Sequence, residues 1–183
     1  LFRSLWWVND ERIVFDAIDR ASGTGRPLAP GLWAVNRDGG DFRQLIKAAE
    51  IVAYARTIPG LTVLALVPNF RGAEDAIAAG AHKIALPLSA SETHSKANLR
   101  KTHAEVLEDV RRIAGLLRSM PADKRPGLEG NVATAFGCTL EGTVPESKVV
   151  ELAVALMEAG CDDIGLSDTT GYANPAQVRR LIR

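Results

Sequence analysis

From Gln44 onward the apolar positions of this chain switch back and forth between a helical period and short continuous runs. Leu45, Ala48, Ala49, Val52 and Ala55 line one face of a predicted helix that must stop before Pro59-Gly60. Thr62 to Val67 is an unbroken apolar run of strand length, which predicts a strand buried on both faces. Pro68-Asn69 then opens a helix with Phe70, Ala73 and Ile77 on one side, ended by Gly80. Lys83 to Leu88 reads as the next strand, followed by a polar loop from Ser89 to Ser95. Thr102 and Glu105 have capping-box spacing, and Val106, Val110, Ile113, Ala114 and Leu117 fall on one face of the helix behind them. A loop is expected from Pro121 to Gly130.

The last third repeats the scheme. An apolar run begins at Asn131 and ends in Phe136-Gly137-Cys138, and a Gly/Thr/Pro loop leads to a helix starting at Pro145-Glu146. Val149, Val150, Leu152, Ala153, Leu156 and Met157 form its apolar face, and Thr143 with Glu146 repeats the capping-box spacing. Gly160 ends the helix; a short strand, Ile164 to Ser167, runs into Asp168-Thr169-Thr170-Gly171, and a final helix is expected from Pro175 to Arg183. The step from Ala79-Gly80 to Ile84 recurs from Ala159-Gly160 to Ile164, which argues for a repeated βα unit. Four strands, near Thr62, Lys83, Asn131 and Ile164, are each followed by a helix, spaced about as the units of a ~250-residue eight-unit barrel are. The expected class is α/β, half of a (β/α)8 barrel, with a small doubly wound sheet as the alternative. In either, ligands bind at the carboxyl ends of the strands, so Cys138 to Glu141 and Asp168 to Thr170 would share one face.

Residues 1–46 follow a different rule. Leu5 to Val8 and Arg12 to Ile18 flank a turn at Asn9-Asp10, and Leu32 to Val35 and Phe42 to Ile46 flank Asn36 to Gly40; both pairs read as hairpins. Arg20 to Gly31 between them is a Gly/Ser/Pro-rich loop, and all three tryptophans of the chain lie in this segment. Two domains are therefore expected, a β-hairpin segment over 1–46 and a partial barrel over 47–183.

Charge and cysteine usage narrow the possible functions. The 22 basic and 22 acidic residues balance, so neither nucleic acid nor an anionic membrane surface is expected as a partner. Two cysteines, no charged-then-apolar leader and no apolar run near the ~18 residues of a membrane span predict a reducing compartment, the cytosol or an organelle matrix. The chain begins at Leu1 and stops inside a helical pattern, as a piece of a longer protein would. In an open half-barrel, Val63, Ala65, Ile84, Leu86, Val132 and Leu166 are expected to include residues of the barrel centre. Left wet, they would favour self-association.

Several runs carry a family likeness. Val67-Pro-Asn-Phe-Arg-Gly72, Ser89-Ala-Ser-Glu-Thr-His-Ser-Lys-Ala-Asn98, Ala135-Phe-Gly-Cys-Thr-Leu-Glu-Gly142 and Gly165-Leu-Ser-Asp-Thr-Thr-Gly171 resemble, in order and spacing, the middle of the 3-hydroxy-3-methylglutaryl-CoA lyases, which are metal-dependent TIM barrels. The resemblance spans about residues 48–183 and departs from the family at Thr139, where those lyases carry proline. The segment with Trp6-Trp7 and Leu32-Trp-Ala-Val35 resembles a β-propeller blade of prolyl-oligopeptidase-type proteins.

The lyase resemblance implies a TIM barrel that cleaves a small acyl-CoA substrate, 3-hydroxy-3-methylglutaryl-CoA, to acetyl-CoA and acetoacetate. It implies Asp168 and Thr169 as catalytic residues and Asn69 and Asn131 as substrate-binding ones. It also implies a divalent cofactor, magnesium or manganese. That metal's ligands in the family, an aspartate of the first strand, a His-x-His pair and a later asparagine, match no position here, so the chain is expected to be inactive alone. A sibling condensing enzyme of the isopropylmalate or homocitrate synthase type, or a non-catalytic binding or assembly module, are the alternatives. From the residues themselves, Asp168 reads equally as a turn residue, Asn69 and Asn131 as strand-end turn residues, and Cys138 and Cys161 as structural thiols. His82, His94 and His103 have no metal-ligand spacing, and Arg111-Arg112 and Arg179-Arg180 read as solvated helix faces.

Overall fold

The computed structural model describes the backbone of residues 2–9, 12–17, 31–36 and 43–47, and residue 38 and residues 48–182 with their side chains. The chain forms two compact units, Leu1–Pro59 and Gly60–Arg183. In the first, β1 (Phe2–Asn9), β2 (Arg12–Ala17), β3 (Gly31–Asn36) and β4 (Arg43–Lys47) pair antiparallel in chain order. Both expected hairpins are present, and the β2–β3 pairing joins them into one sheet. The turn residue Asp10, the loop from Arg20 and the Gly39-Gly40 step lie outside the described residues. The helix expected from Gln44 starts instead at Ala48, because Gln44, Ile46 and Lys47 are taken up by pairing with β3. Cross-strand pairing overrides the local helical period there. This helix, α1 (Ala48–Arg56), buries none of its residues. The change from strand to helix falls beside the boundary expected at Ile46, whereas the compact units divide at Pro59.

The second unit is built on β5 (Leu64–Leu66), β6 (Lys83–Ser89), β7 (Gly127–Ala133) and β8 (Asp163–Leu166), all parallel and adjacent in chain order. A doubly wound sheet reverses its strand order at a switch point; sequential order is the barrel arrangement. Helices α2 (Phe70–Ala78), α3 (Glu92–Leu99), α4 (His103–Arg118), α5 (Glu146–Ala159) and α6 (Pro175–Leu181) follow the strands. The core lies between the sheet and α4 and α5: Val106, Val110, Ile113, Ala114 and Leu117 of α4 are all buried, as their spacing predicts. On α5, Val149, Leu152, Leu156 and Ala159 are buried while Val150 and Met157 are exposed, a narrower stripe than expected.

Local chemistry sets most helix ends. Thr102 and Glu105 make the full capping box on α4, and the Asn69 side chain accepts from the Gly72 amide at 2.9 Å to start α2. Thr143 makes no cap; Pro145 precedes α5 without a side-chain hydrogen bond. The polar loop expected from Ser89 to Ser95 becomes helical at Glu92, because Ser91 accepts from the His94 amide at 3.0 Å. The two arginine pairs are solvent-exposed, as the sequence reading has them, and a member of each also makes a contact. Arg112 lies over the Phe70 ring, 4.4 Å from its centre, and Arg180 joins α6 to α5 through a two-pronged bond with Glu146.

β7 begins at Gly127, inside the expected loop. Its glycines mark close approach, not a turn: a Cβ at Gly130 would lie 3.0 Å from Leu156 and 3.1 Å from the Cys161 sulfur. β5 is shorter than its apolar run, and it is not buried on both faces. Leu64 and Leu66 are 45% and 63% exposed.

Register assigns the two faces of the sheet and reverses one expectation. Ile84 pairs with Ala65 and Leu128, and Val132 with Leu88 and Leu166, so Val63, Ala65, Ile84, Leu86, Val132 and Leu166 share the helix-covered face. Val63, Ile84, Leu86 and Val132 are buried there, and none of the six belongs to the barrel centre. The opposite, open face carries Leu64, Leu66, Lys83, Ala85, Pro87, Ser89, Glu129, Asn131, Ala133, Asp163, Gly165 and Ser167. It is small and polar apart from the two leucines. Residues two apart in a strand share a face, so a one-residue difference in parity moves a whole set.

Candidate functional site

The amino ends of the strands on the open face are closed by charge. Lys83 Nζ lies 2.6 Å from Asp163 Oδ2 and 2.9 Å from Glu129 Oε2, tying β6, β7 and β8 together. Hydrogen bonds to Asp163 and then to Glu129 raise the Lys83 pKa above its ordinary value. Gly165 makes room for this layer: a Cβ there would lie 2.7 Å from Glu129 Oε1 and 3.1 Å from Asn131 Nδ2. One step toward the carboxyl ends, the Ser167 hydroxyl donates to Asn131 Oδ1 at 3.0 Å. Asn131 is half-buried on the open face, between the ionic layer and the loops.

The loops after β6, β7 and β8 meet at the other end. The Thr134 amide donates to Thr169 Oγ1 at 2.8 Å, and Thr134 Oγ1 accepts from the Ser91 amide at 3.1 Å. Thr134 is fully buried and has φ of +53°, a left-handed conformation that a β-branched residue adopts only at a cost of roughly 1–3 kcal/mol. The Thr170 hydroxyl donates to the Gly137 carbonyl at 2.9 Å, and Tyr172 packs so closely on Gly137 that no Cβ fits there. Glu141 reaches back from the β7 loop to accept from the Thr93 amide at 2.7 Å. The Thr93 hydroxyl and amide hold its carboxyl below the ordinary value, against a smaller opposing effect of burial.

Asp168 is exposed at the carboxyl end of β8, and its two oxygens accept from the amides of Tyr172 and Ala173 at 2.9 and 3.1 Å. It therefore shapes the turn that follows β8 while its carboxylate stays in solvent. Asn69 stands at the carboxyl end of β5 and caps α2. The structure brings Thr169 to Thr134 and Asn131 to Ser167. Asn69 makes its hydrogen bond within its own loop.

Cys138 is fully buried, and its sulfur accepts from the Leu140 amide at 3.3 Å. Burial opposes its ionisation, but hydrogen bonds from Ser91, Glu141 and Leu140 outweigh this and set its pKa below the ordinary thiol value. Cys161 lies against β7 with its pKa pushed up to about 12 by burial, so it is an inert packing thiol. His94 Nδ1 shares a hydrogen bond of 2.7 Å with the Ser89 hydroxyl, His103 Nε2 donates to the Ser89 carbonyl, and His82 Nδ1 accepts from the Val63 amide. Each histidine thus braces a strand end. Among the described residues no group of three or more His, Cys, Asp or Glu is placed to hold a metal ion, so these residues do not fit the divalent metal that the family likeness implies.

The sequence pattern places Glu141, at the end of the Cys138 to Glu141 stretch, on the ligand face, but it gives no separate role to Ser91 or Thr134. Ser91 and Glu141 lie within the Ser-x-Ser-Glu and Cys-x-x-Glu-Gly runs. Thr134 carries no local signal, because its partners are 43 and 35 residues away.

A sequential parallel sheet with helices on one face and convergent polar loops at its carboxyl ends defines part of a β/α barrel. The comparisons make the class specific: the HMGL-like family model matches residues 35–183, and the chain belongs to that family. It is 38% identical over 123 residues to a hydroxymethylglutaryl-CoA lyase of Bacillus subtilis, covering 67% of this chain and 40% of that protein. It is 39% identical over 143 residues to the (R)-citramalyl-CoA lyase of Chloroflexus aurantiacus, covering 77% of this chain and 43% of that one. An HMG-CoA lyase structure from Acinetobacter baumannii, in complex with coenzyme A and 3-methylmalate, superposes with a TM-score of 0.67 at 36% identity over 73% of this chain and 42% of that one. The chain thus spans about two fifths of the length of these relatives.

The propeller likeness of the amino-terminal segment finds no support. The family match begins at residue 35, inside that segment, and a bovine mitochondrial hydroxymethylglutaryl-CoA lyase matches over 165 residues, more than residues 47–183 contain. No helix among the described residues is long and apolar enough to cross a membrane. The relatives include lyases named cytoplasmic and lyases named mitochondrial, so family membership alone does not assign a compartment.

Proposed function

We propose that this chain carries the substrate side of an acyl-CoA carbon–carbon lyase acting on 3-hydroxy-3-methylglutaryl-CoA. The observation that supports it is the open face itself, where Asn131 and Ser167 lead up to Thr169 and Asp168 at the carboxyl end of β8. In the reaction, the tertiary hydroxyl loses its proton to a base and its oxygen becomes the ketone of acetoacetate as the carbon–carbon bond breaks. The bonding pair leaves on the thioester side as an enolate, which takes up a proton to give acetyl-CoA. Asp168, exposed beside that face, is the residue to accept a hydrogen bond or proton from the hydroxyl. Thr169 fixes the strand end from which Asp168 projects, and Asn131 and Asn69 bind substrate oxygens. The complete family member would use magnesium or manganese, held by residues other than those described, and would work in the cytoplasm.

Calorimetric titration of the chain with 3-hydroxy-3-methylglutaryl-CoA tests the assignment. Saturable binding weakened about tenfold by Asn131→Ala is expected, the effect of losing one buried polar contact; no saturable heat would refute it. The Chloroflexus relative supports a second substrate, (R)-citramalyl-CoA, at similar identity, and competition between the two thioesters decides between them. Self-association remains part of the proposal. Among the described residues β5 and β8 each pair on one side only, and Leu64 and Leu66 are exposed on β5. Light scattering at micromolar concentration should give a mass of at least two chains, and a monodisperse monomer would remove this part.

A further inference from the structure

We propose that Thr134 is a positioning residue that locks the loops after β6, β7 and β8 into one cooperative platform, so that Thr169, and Asp168 beside it, are placed by hydrogen bonds reaching back to Ser91. This deepens the reading of the open face as the substrate site and rests on it for its functional meaning.

Each polar group of Thr134 serves a different loop. Its hydroxyl holds the Ser91 amide of the β6 loop, its amide is held by Thr169 of the β8 loop, and its carbonyl accepts from Gly137 within the β7 loop at 3.3 Å. Adjacent backbone bonds run the same way: the Ala90 amide donates to the Ala133 carbonyl at 2.7 Å and the Ala135 amide to the Ser167 carbonyl at 3.2 Å. Ser91 is itself spoken for, accepting from the His94 amide and bonding Cys138, so a shift of Thr134 reaches both the start of α3 and the buried thiol.

The backbone conformation supplies an independent reason. Asparagine or glycine adopts positive φ with far less strain than threonine, so a threonine there has to be held by its surroundings. Serine would keep the hydroxyl and glycine would relieve the backbone; threonine supplies the hydroxyl together with a methyl group that fills a fully buried position. A residue strained in isolation and satisfied on three sides has one well-defined placement, which is what a site built from three separate loops requires.

The test is amide hydrogen exchange, residue by residue, on the whole chain and on Thr169→Val, Thr134→Val and Thr134→Ser. Thr169 is exposed and bonds Thr134 but not Ser91, so Thr169→Val should leave the fold intact. Exchange is expected to rise about tenfold at Thr134 and, through the platform, by a similar factor at Ser91. Thr134→Val should open Ser91, Ala135 and the Thr169 loop together, and Thr134→Ser should restore protection to within about threefold. Loss of protection confined to the amide whose acceptor was removed, or no rescue by serine, would overturn the proposal. The readout involves no substrate, so a face that fails to bind the thioester while its loops exchange as one unit would sink the substrate reading alone.

Discussion

Glu141 Oε1 accepts the Thr93 amide at 2.7 Å, so a carboxylate from the loop after β7 sits at the amino end of α3, which follows β6. A negative charge there complements the unpaired amides and dipole of the helix. Because the pKa of Glu141 is held below its ordinary 4.5, the stability it contributes is present above that value and is lost as pH falls through the lower folded value. The midpoint of thermal unfolding should therefore drop more steeply below pH ~4.5 in the wild type than in Glu141→Gln. Parallel curves for the two proteins would show that the bond contributes nothing through charge.

The open face depends on the absence of a side chain at Gly165. Gly165→Ala would put a Cβ within 2.7 Å of Glu129 Oε1, displacing Glu129 and Asn131 and loosening the Lys83 ion pairs. A loss of about 1 kcal/mol in urea unfolding is expected, because the Glu129 carboxylate can swing aside but gives up its ion pair with Lys83 in doing so. A change well inside 0.5 kcal/mol would mean that the polar side chains move aside freely.

Lys83 stands between two carboxylates, and its raised pKa carries the opposite sign from Glu141. Its contribution is complete below the unfolded value near 10.5 and is lost as pH rises through the higher folded value. Lys83→Met should cost about 1 kcal/mol at neutral pH, as expected for a partly exposed ionic network. It should also flatten the decline in stability at alkaline pH. An unchanged alkaline limb would assign that limb to other groups.

Asp168→Asn separates turn chemistry from catalysis. Asparagine has one carbonyl oxygen to offer the amides of Tyr172 and Ala173, so about 1 kcal/mol of stability should be lost. In a full-length relative the same change should reduce turnover by more than 100-fold, the usual worth of a positioned acid–base group. Equal and small effects on both would leave Asp168 as a turn residue.

The 183-residue chain should release no acetoacetate from 3-hydroxy-3-methylglutaryl-CoA with added magnesium or manganese. Among the described residues no group is placed to hold the ion, and side chains that bind substrate do not replace a Lewis acid. Metal-dependent release above background would contradict this.

What the sequence determined by itself was what neighbouring residues decide. The caps at Asn69 and Thr102, the buried stripe of α4 and the glycine end of α5 depend on groups a few positions apart, and they appear where the pattern puts them. The four-unit repeat was legible for the same reason, and the resemblance that named the family rests on contiguous runs. Tertiary structure decided whatever depends on partners far along the chain. Gly130 looked like a loop residue until Leu156 and Cys161 closed over it, and Gln44 to Lys47 looked helical until β3 claimed their backbone. The six residues expected to include those of the barrel centre all face the helices, because register across four strands, not composition, sets which side of a sheet a residue takes. The left-handed Thr134 and its bonds to Ser91 and Thr169 had no local signal at all: a hydrogen bond between residues tens of positions apart exists only once the strands beneath them are aligned.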